Sequence, residues 1–398
     1  MLHLFAFTNF QSFLERTEVS LRLTDKSAAR GWDTESKSGQ RLTLALATLG
    51  ANAAGKTSLL KPLAFISWFI QSSFTQLKPE DPVPLLSHFA SQGAPSEFEV
   101  EAEDEDGVLW RYVLHATNQQ VLHEALYRKK DRFSYVFVRD WDEERNTYVI
   151  KQKDFGLGAA EAQKVRKNAS LIATAVQYEV QVASHIAGIK LFTNLDATGR
   201  EYLHNRRTFD VAAFFAANET LQNEMRRLLK SWDLGLSDVR IAKHTVAPSE
   251  PTQSARTFWY PVGVHQVRGG DVHEIPFVYE SRGTQAAFLL LSLLLPALAT
   301  GGIALVDEFE NDLHPLMLEP ILDLFARRET NPKNAQIIFT CHSERVLNLL
   351  HKAQVMLVEK SHCESHAWRL DTVQGVRSDD NFAAKYTAGA YGAVPRVL

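Results

Sequence analysis

Eight consecutive residues carry the densest chemistry in the sequence: Gly50-Ala51-Asn52-Ala53-Ala54-Gly55-Lys56-Thr57. They fit G-x-x-x-x-G-K-[ST], the pattern of a loop that wraps phosphates. The glycines permit a tight turn in which successive backbone N–H groups point inward at phosphate oxygens. Lys56 offers a point charge to β- and γ-phosphates, and the Thr57 hydroxyl offers Mg²⁺ a hard oxygen ligand. Ser58 continues the set into a following helix, whose positive N-terminal end favours an anion. The expected nucleotide contacts are therefore Gly50, Ala51, Asn52, Ala53, Ala54, Gly55, Lys56, Thr57 and Ser58, with ATP and Mg²⁺ as the implied ligands.

Such a loop needs a second metal ligand and a group to orient water. The apolar run Ile303-Ala304-Leu305-Val306 ends in Asp307-Glu308. Asp307 is expected to hold Mg²⁺ together with Thr57, and Glu308 to polarise the attacking water. Upstream, Glu280-Ser281-Arg282-Gly283-Thr284-Gln285 opens a strongly apolar stretch from Ala286. Ser281 and the Gly283 N–H at a helix start would form a second anion site. The chain already has one phosphate loop, so this second site has no obvious phosphate of its own. Downstream, His342 follows the apolar run Gln336–Cys341, where it could touch a γ-phosphate. Taken singly, these pieces read as a capped helix, a strand-end turn and an incidental histidine. Their order and spacing make Lys56, Glu308 and His342 the catalytic candidates, with Ser281 and Gly283 as further nucleotide contacts. Asn311-Asp312-Leu313-His314-Pro315 is the loop expected to carry the state of one site to another.

The set G-A-N-A-A-G-K-T, E-S-R-G-T, L-V-D-E-F-E-N-D-L-H-P and F-T-C-H-S resembles the ABC-type ATPases grouped with SMC, RecF and OLD proteins. More narrowly it resembles the bacterial AAA family ATPases of phage-defence operons, which stand beside a RloB-type, TOPRIM or HNH effector. The opening Phe7-Thr8-Asn9-Phe10-Gln11-Ser12-Phe13 and the closing Tyr386–Pro395 agree with that group. The resemblance implies an α/β P-loop ABC-type head with a mixed sheet, an antiparallel β subdomain and a helical lid insertion. It implies a homodimer or higher homo-oligomer that sandwiches ATP, Ser281 and Gly283 meeting the nucleotide of the other copy. It also implies a separate effector, a nuclease or toxin. A RecF/SMC-like DNA repair or maintenance ATPase is one alternative, and an ATP-gated scaffold sequestering a toxin is another. The departures are Phe309 where the group often has proline, Arg282 where ABC transporters have glycine, and no identifiable Q-loop glutamine. Val358-Glu359-Lys360 resembles the start of a TOPRIM nuclease but lacks the glycine expected next, and too few residues follow for that domain.

The elements that must position these groups can be read from periodicity. Arg41–Leu49 is a short apolar run suited to a buried parallel strand, and Ser58–Ser72 carries apolar residues at helical spacing. Residues 97–149 alternate as antiparallel strands, 157–235 read as a helical insertion, and the last third alternates strand with helix. The expected divisions are 1–156 and 256–398 as two parts of one head, with 157–255 as the lid. A net charge of −4 provides no global pull toward nucleic acid or an anionic membrane. Any DNA contact would be local, through Arg128-Lys129-Lys130, Lys164–Lys167, Arg206-Arg207 or Arg226-Arg227 with Lys230. Only Cys341 and Cys363 occur, without metal-ligand spacing, which fits a reducing cytoplasm. The apolar run Ala286–Ala299, interrupted by Pro296, is shorter than the ~20 residues of a membrane span and is expected to be a buried helix.

Overall fold

In the computed structural model, residues 1–24, 31–196, 199–200, 205–246 and 256–395 are described. Arg206's side chain, in one of the basic clusters, and the expected lid boundary at 255 lie outside them. A central sheet runs in the order β11 (Leu191–Thr193), β15 (Ile303–Val306), β16 (Gln336–Thr340), β5 (Ala45–Gly50), β17 (Val355–Ser361) and β18 (Glu364–Arg369). Neighbours are parallel except the β17–β18 hairpin. The apolar runs of β5, β15 and β16 are buried along their whole length, as a sheet covered on both faces demands. Register places Val306 beside Phe339 and Thr340 beside Thr48, so the carboxyl ends of β15, β16 and β5 finish together. In open α/β sheets that edge is where ligands bind.

Alternate residues feed two cores. Leu46, Leu305 and Ile338 face one, and Ala47, Val306 and Phe339 the other. The first core holds α1 (Lys56–Gln76), which lies between the central sheet and a seven-stranded antiparallel sheet. That sheet runs β10 (Thr147–Gln152), β9 (Phe133–Asp142), β8 (Val121–Lys129), β7 (Leu109–Ala116), β6 (Ser96–Glu103), β1 (Leu2–Thr8) and β2 (Thr17–Ser20). The helices α2 (Ala159–Ala162), α3 (Leu171–Val176) and α4 (Gln181–Ala187) complete the layer. A fully buried ion pair fixes α3 to the sheet: Arg139 Nη1 donates to Glu124 Oε2 at 3.2 Å, and Glu124 also accepts from Ser170 Oγ at 2.6 Å and the Leu171 N–H at 2.9 Å. Removing either charge from such a buried pair costs about 3–5 kcal/mol, because the other is left uncompensated.

The second core packs α7 (Arg282–Thr300), α8 (Leu318–Ala326), α9 (Arg345–Leu349) and α10 (Phe382–Thr387) under the other face. With them go α5 (Asn205–Ala216), α6 (Glu219–Ser231) and a three-stranded sheet of β12 (Asp238–Val246), β13 (Arg256–Gln266) and β14 (Val272–Pro276). A small hairpin, β3 (Asp33–Glu35) and β4 (Arg41–Thr43), leads into β5. The segment 157–255 thus contains more than helices. Its first part packs with α1, β11 joins the central sheet beside β15, and the rest of its described elements lie around α7. α7 begins at Arg282 rather than Ala286 and continues through Pro296 to Thr300. By length and composition it could cross a membrane, but most of it is buried against protein as a core helix.

Candidate functional site

The phosphate loop sits at the carboxyl end of β5 and enters α1 at Lys56. Two glycines are fixed there by their surroundings. A Cβ on Gly50 would lie 2.2 Å from the Val358 carbonyl oxygen of β17. One on Gly55 would lie 2.5 Å from Ser365 Oγ of β18, and Gly55 also takes a left-handed φ of 110°. The loop can therefore be walled by the C-terminal strands only if both positions lack a side chain. Lys56 is buried and donates to the carbonyls of Gly50 at 2.9 Å and Ala51 at 3.0 Å. Burial pulls its ammonium below the usual lysine range, while Asp307 and Glu310 hold it up.

Across the sheet edge, Thr57 Oγ1 donates to Asp307 Oδ2 at 2.9 Å. The other Asp307 oxygen accepts from Thr340 Oγ1 at 2.7 Å, and the same hydroxyl accepts from the Glu308 N–H at 2.7 Å. Glu308 has a left-handed φ of 50°, a conformation that costs a β-carbon-bearing residue roughly 1–2 kcal/mol and persists where neighbours impose it. Asn194, the first residue after β11, brackets Asp307: its Nδ2 donates to the Asp307 carbonyl at 2.9 Å and its Oδ1 accepts from the Asp307 N–H at 2.8 Å. No glutamine stands at this strand end; the polar side chain there is Asn194. The His342 N–H donates to Glu310, tying the turn after β16 to the loop after β15. Burial, then Lys56, push the His342 imidazole below its ordinary range, against the pull of Glu310 and Asp307. Burial likewise pushes the Cys341 thiol up, which leaves it unreactive.

Ser281 caps α7. Its Oγ accepts from the Thr284 N–H at 3.1 Å and lies 2.9 Å from Thr284 Oγ1, while Ser281 and Arg282 are exposed. The hydrogen bonds of Ser281 are local to its own turn, so the structure does not bring it to the Lys56–Asp307 cluster. Gly283 approaches the loop after β15: a Cβ there would lie 2.8 Å from the Asp312 carbonyl oxygen.

The family described as "AAA domain, putative AbiEii toxin, Type IV TA system" matches residues 49–348. The chain belongs to that family. No curated protein matches it. Among solved structures it is similar to the recombination mediator protein RecF-ATPrS of the RecFOR pathway, at 12% identity over 92% of this chain and 98% of that one, TM-score 0.37. It is similar to the RecF–ATP form at 12% identity over 86% and 94%, TM-score 0.38. It is similar to the Smc head domain of Pyrococcus yayanosii at 10% identity over 98% and 99%, TM-score 0.48. The chemistry of this AAA domain rests on its own geometry.

Within the AAA domain, Lys56, Thr57, Asp307 and Glu308 converge at one sheet edge, and His342 joins them through Glu310. Sequence reasoning missed Thr340, Glu310 and Asn194 as members of the cluster. Thr340 and Glu310 stood inside motifs already singled out, at the last position of an apolar strand and two residues past the carboxylate pair. Asn194 carried no local signal, because its place depends on β11 docking beside β15.

Proposed function

We propose that this AAA-domain protein binds ATP at Gly50–Ser58 and hydrolyses it within a pair of heads. The carrying observation is the Thr57–Asp307 contact of 2.9 Å beside Lys56, with Glu308 next in sequence. The residues fit both ligands. Gly50 and Gly55 let the loop close against β17 and β18, where any side chain would clash. The Thr57 hydroxyl and Asp307 carboxylate form a hard-oxygen pair suited to Mg²⁺, which when bound supplies charge neutralisation at the phosphates. Lys56 exchanges its two backbone carbonyls for phosphate oxygens, and Glu308 orients the attacking water and takes its proton. His342, whose backbone N–H is tied to Glu310, contacts the γ-phosphate. Ser281, exposed at the start of α7, and Gly283 two residues on serve the nucleotide of a second copy.

The narrower reading is that closing and opening of the pair controls a separate nuclease or toxin effector in phage defence, in the cytoplasm. The family's description as a toxin of a type IV system accords with a toxin or toxin-linked role. Sedimentation of Glu308→Gln with ATP tests the pair: an ATP-dependent dimer is expected, and a persistent monomer would refute it. Lys56→Ala should abolish binding of a fluorescent ATP analogue.

A further inference from the structure

Glu308 has a charged partner in this structure. Arg200 Nη1 donates to its carboxylate, and, with the Asn311 amide turned so that its oxygen faces the guanidinium, that oxygen accepts from the same Nη1 at 3.2 Å. Beyond β11, Leu195 and Arg200 form an isolated antiparallel bridge, and the Asp196 N–H bonds the Gly199 carbonyl at 2.8 Å. The arginine is the more enclosed of the two partners, with 16% of its side chain exposed against 44% for Glu308. It is therefore seated, and the half-exposed glutamate is what it holds. A cavity of about 60 Å³ adjoins the pair, lined by Asn194, Arg200, Glu308 and Asn311 against Leu289 and Leu293 of α7. That is room for about two waters beside the carboxylate.

We propose that Arg200 is a positioning residue that latches the water-orienting glutamate, and that docking of a second head releases it. The inference rests on Glu308 being the base of ATP hydrolysis. A carboxylate whose oxygen is bound by a guanidinium cannot present that oxygen to water. The release route is in the contacts. Asn311 holds the second side of the guanidinium, and the next residue, Asp312, lies against Gly283 at the start of α7. Ser281 and Arg282 are exposed at that same turn. A partner pressing on the α7 start shifts 311–312 and removes one of the two acceptors of Arg200. The latch thus keeps an isolated head from wasting ATP and hands control to the pair.

The experiment is steady-state phosphate release at saturating ATP across a dilution series of the full chain. For the unaltered protein, turnover per head should climb with protein concentration. Arg200→Ala should raise turnover at the dilute end roughly three- to tenfold, the range that loss of one half-exposed ion pair with a second hydrogen bond allows, and flatten the concentration dependence. The KM for ATP should move by less than about twofold, since Arg200 touches no phosphate-loop residue. Arg200→Lys, which keeps the charge, should remain near the unaltered protein, a rescue that a merely structural role would not give. Arg200→Gln repeats the test should the alanine variant fail to fold. Unchanged or slower turnover in both neutral variants overturns the latch, as does a rise that lysine does not reverse. Glu308→Gln separates the two levels: if it hydrolyses normally, the assignment of the base fails and the latch with it. If it is inactive while Arg200→Ala is no faster, the latch alone fails.

Discussion

Replacing Thr340 by valine should disable hydrolysis while sparing ATP binding. The Thr340 hydroxyl is completely buried and does two things: it donates to Asp307 Oδ1 at 2.7 Å and accepts from the Glu308 N–H at 2.7 Å. Valine has nearly the same shape, so no cavity opens and the cost is polar. A hydrogen bond to a carboxylate contributes roughly 1.5–3 kcal/mol, and a buried N–H left without an acceptor costs roughly 1–3 kcal/mol. Glu308 is half exposed, so water recovers part of the second term, and a total of about 3 kcal/mol is expected. The same bond holds Glu308 at its left-handed φ of 50°. Without it the residue relaxes and its carboxylate leaves the position for orienting water. If the full term falls on the transition state, kcat drops about a hundredfold. The assay is phosphate release, with titration of a fluorescent ATP analogue and urea unfolding in parallel. Affinity should change by less than about threefold, because no phosphate-loop atom is lost, and unfolding stability should fall by about the same 3 kcal/mol. Thr340→Ser, which keeps the hydroxyl, should restore most of the rate. A valine variant retaining more than about a third of kcat, or a serine variant as poor as valine, would refute the two-bond account.

Two further outcomes follow from other parts of the molecule. If Ser281 serves the nucleotide of a second copy, as proposed, Ser281→Arg should block hydrolysis but leave ATP binding nearly intact; lost binding in equilibrium titration would place it in its own site. His3 is buried against Glu103 at 3.2 Å, and burial, stronger than the attraction of Glu103, lowers its imidazole from the ordinary 6.5 to about 4. The unfolded chain protonates first on acidification, so the associated stability is complete above pH 6.5 and is lost as pH falls toward about 4. Urea midpoints measured at pH 7 and pH 5 should therefore differ less in His3→Gln than in the unaltered protein, and an unchanged difference would exclude His3 as a source.

How much could be read beforehand depended on whether a residue's role is local. The phosphate loop and the Asp307–Glu308 pair were readable because strand, turn and helix are contiguous there. The antiparallel strands of residues 97–149 were readable because one buried face leaves a period of two. Thr340 and Asn194 were not, because each acquires its role from a neighbouring strand: Thr340 from β15 beside β16, and Asn194 from β11 beside β15. Ser281 was placed near a helix start, but the helix begins one residue after it, at Arg282, since the capping hydroxyl and not the first leucine run sets the boundary. The segment 157–255 carries helical spacing throughout much of its length, yet that periodicity is silent on which of two cores each helix joins.

The wall behind the phosphate loop also fixes when the site can exist during synthesis. Gly50 and Gly55 are emitted early, but the Val358 carbonyl and Ser365 hydroxyl that close on them come from β17 and β18. β5 likewise waits for both of its sheet neighbours, β16 and β17. At roughly 5–20 residues per second, a ribosome needs on the order of 15–60 seconds to deliver them. Through that interval the loop has its motif but not its mould, and β5 is an apolar strand with both edges open. A nascent chain is thus unable to grip nucleotide, and it needs shielding from mispairing until its last strands arrive.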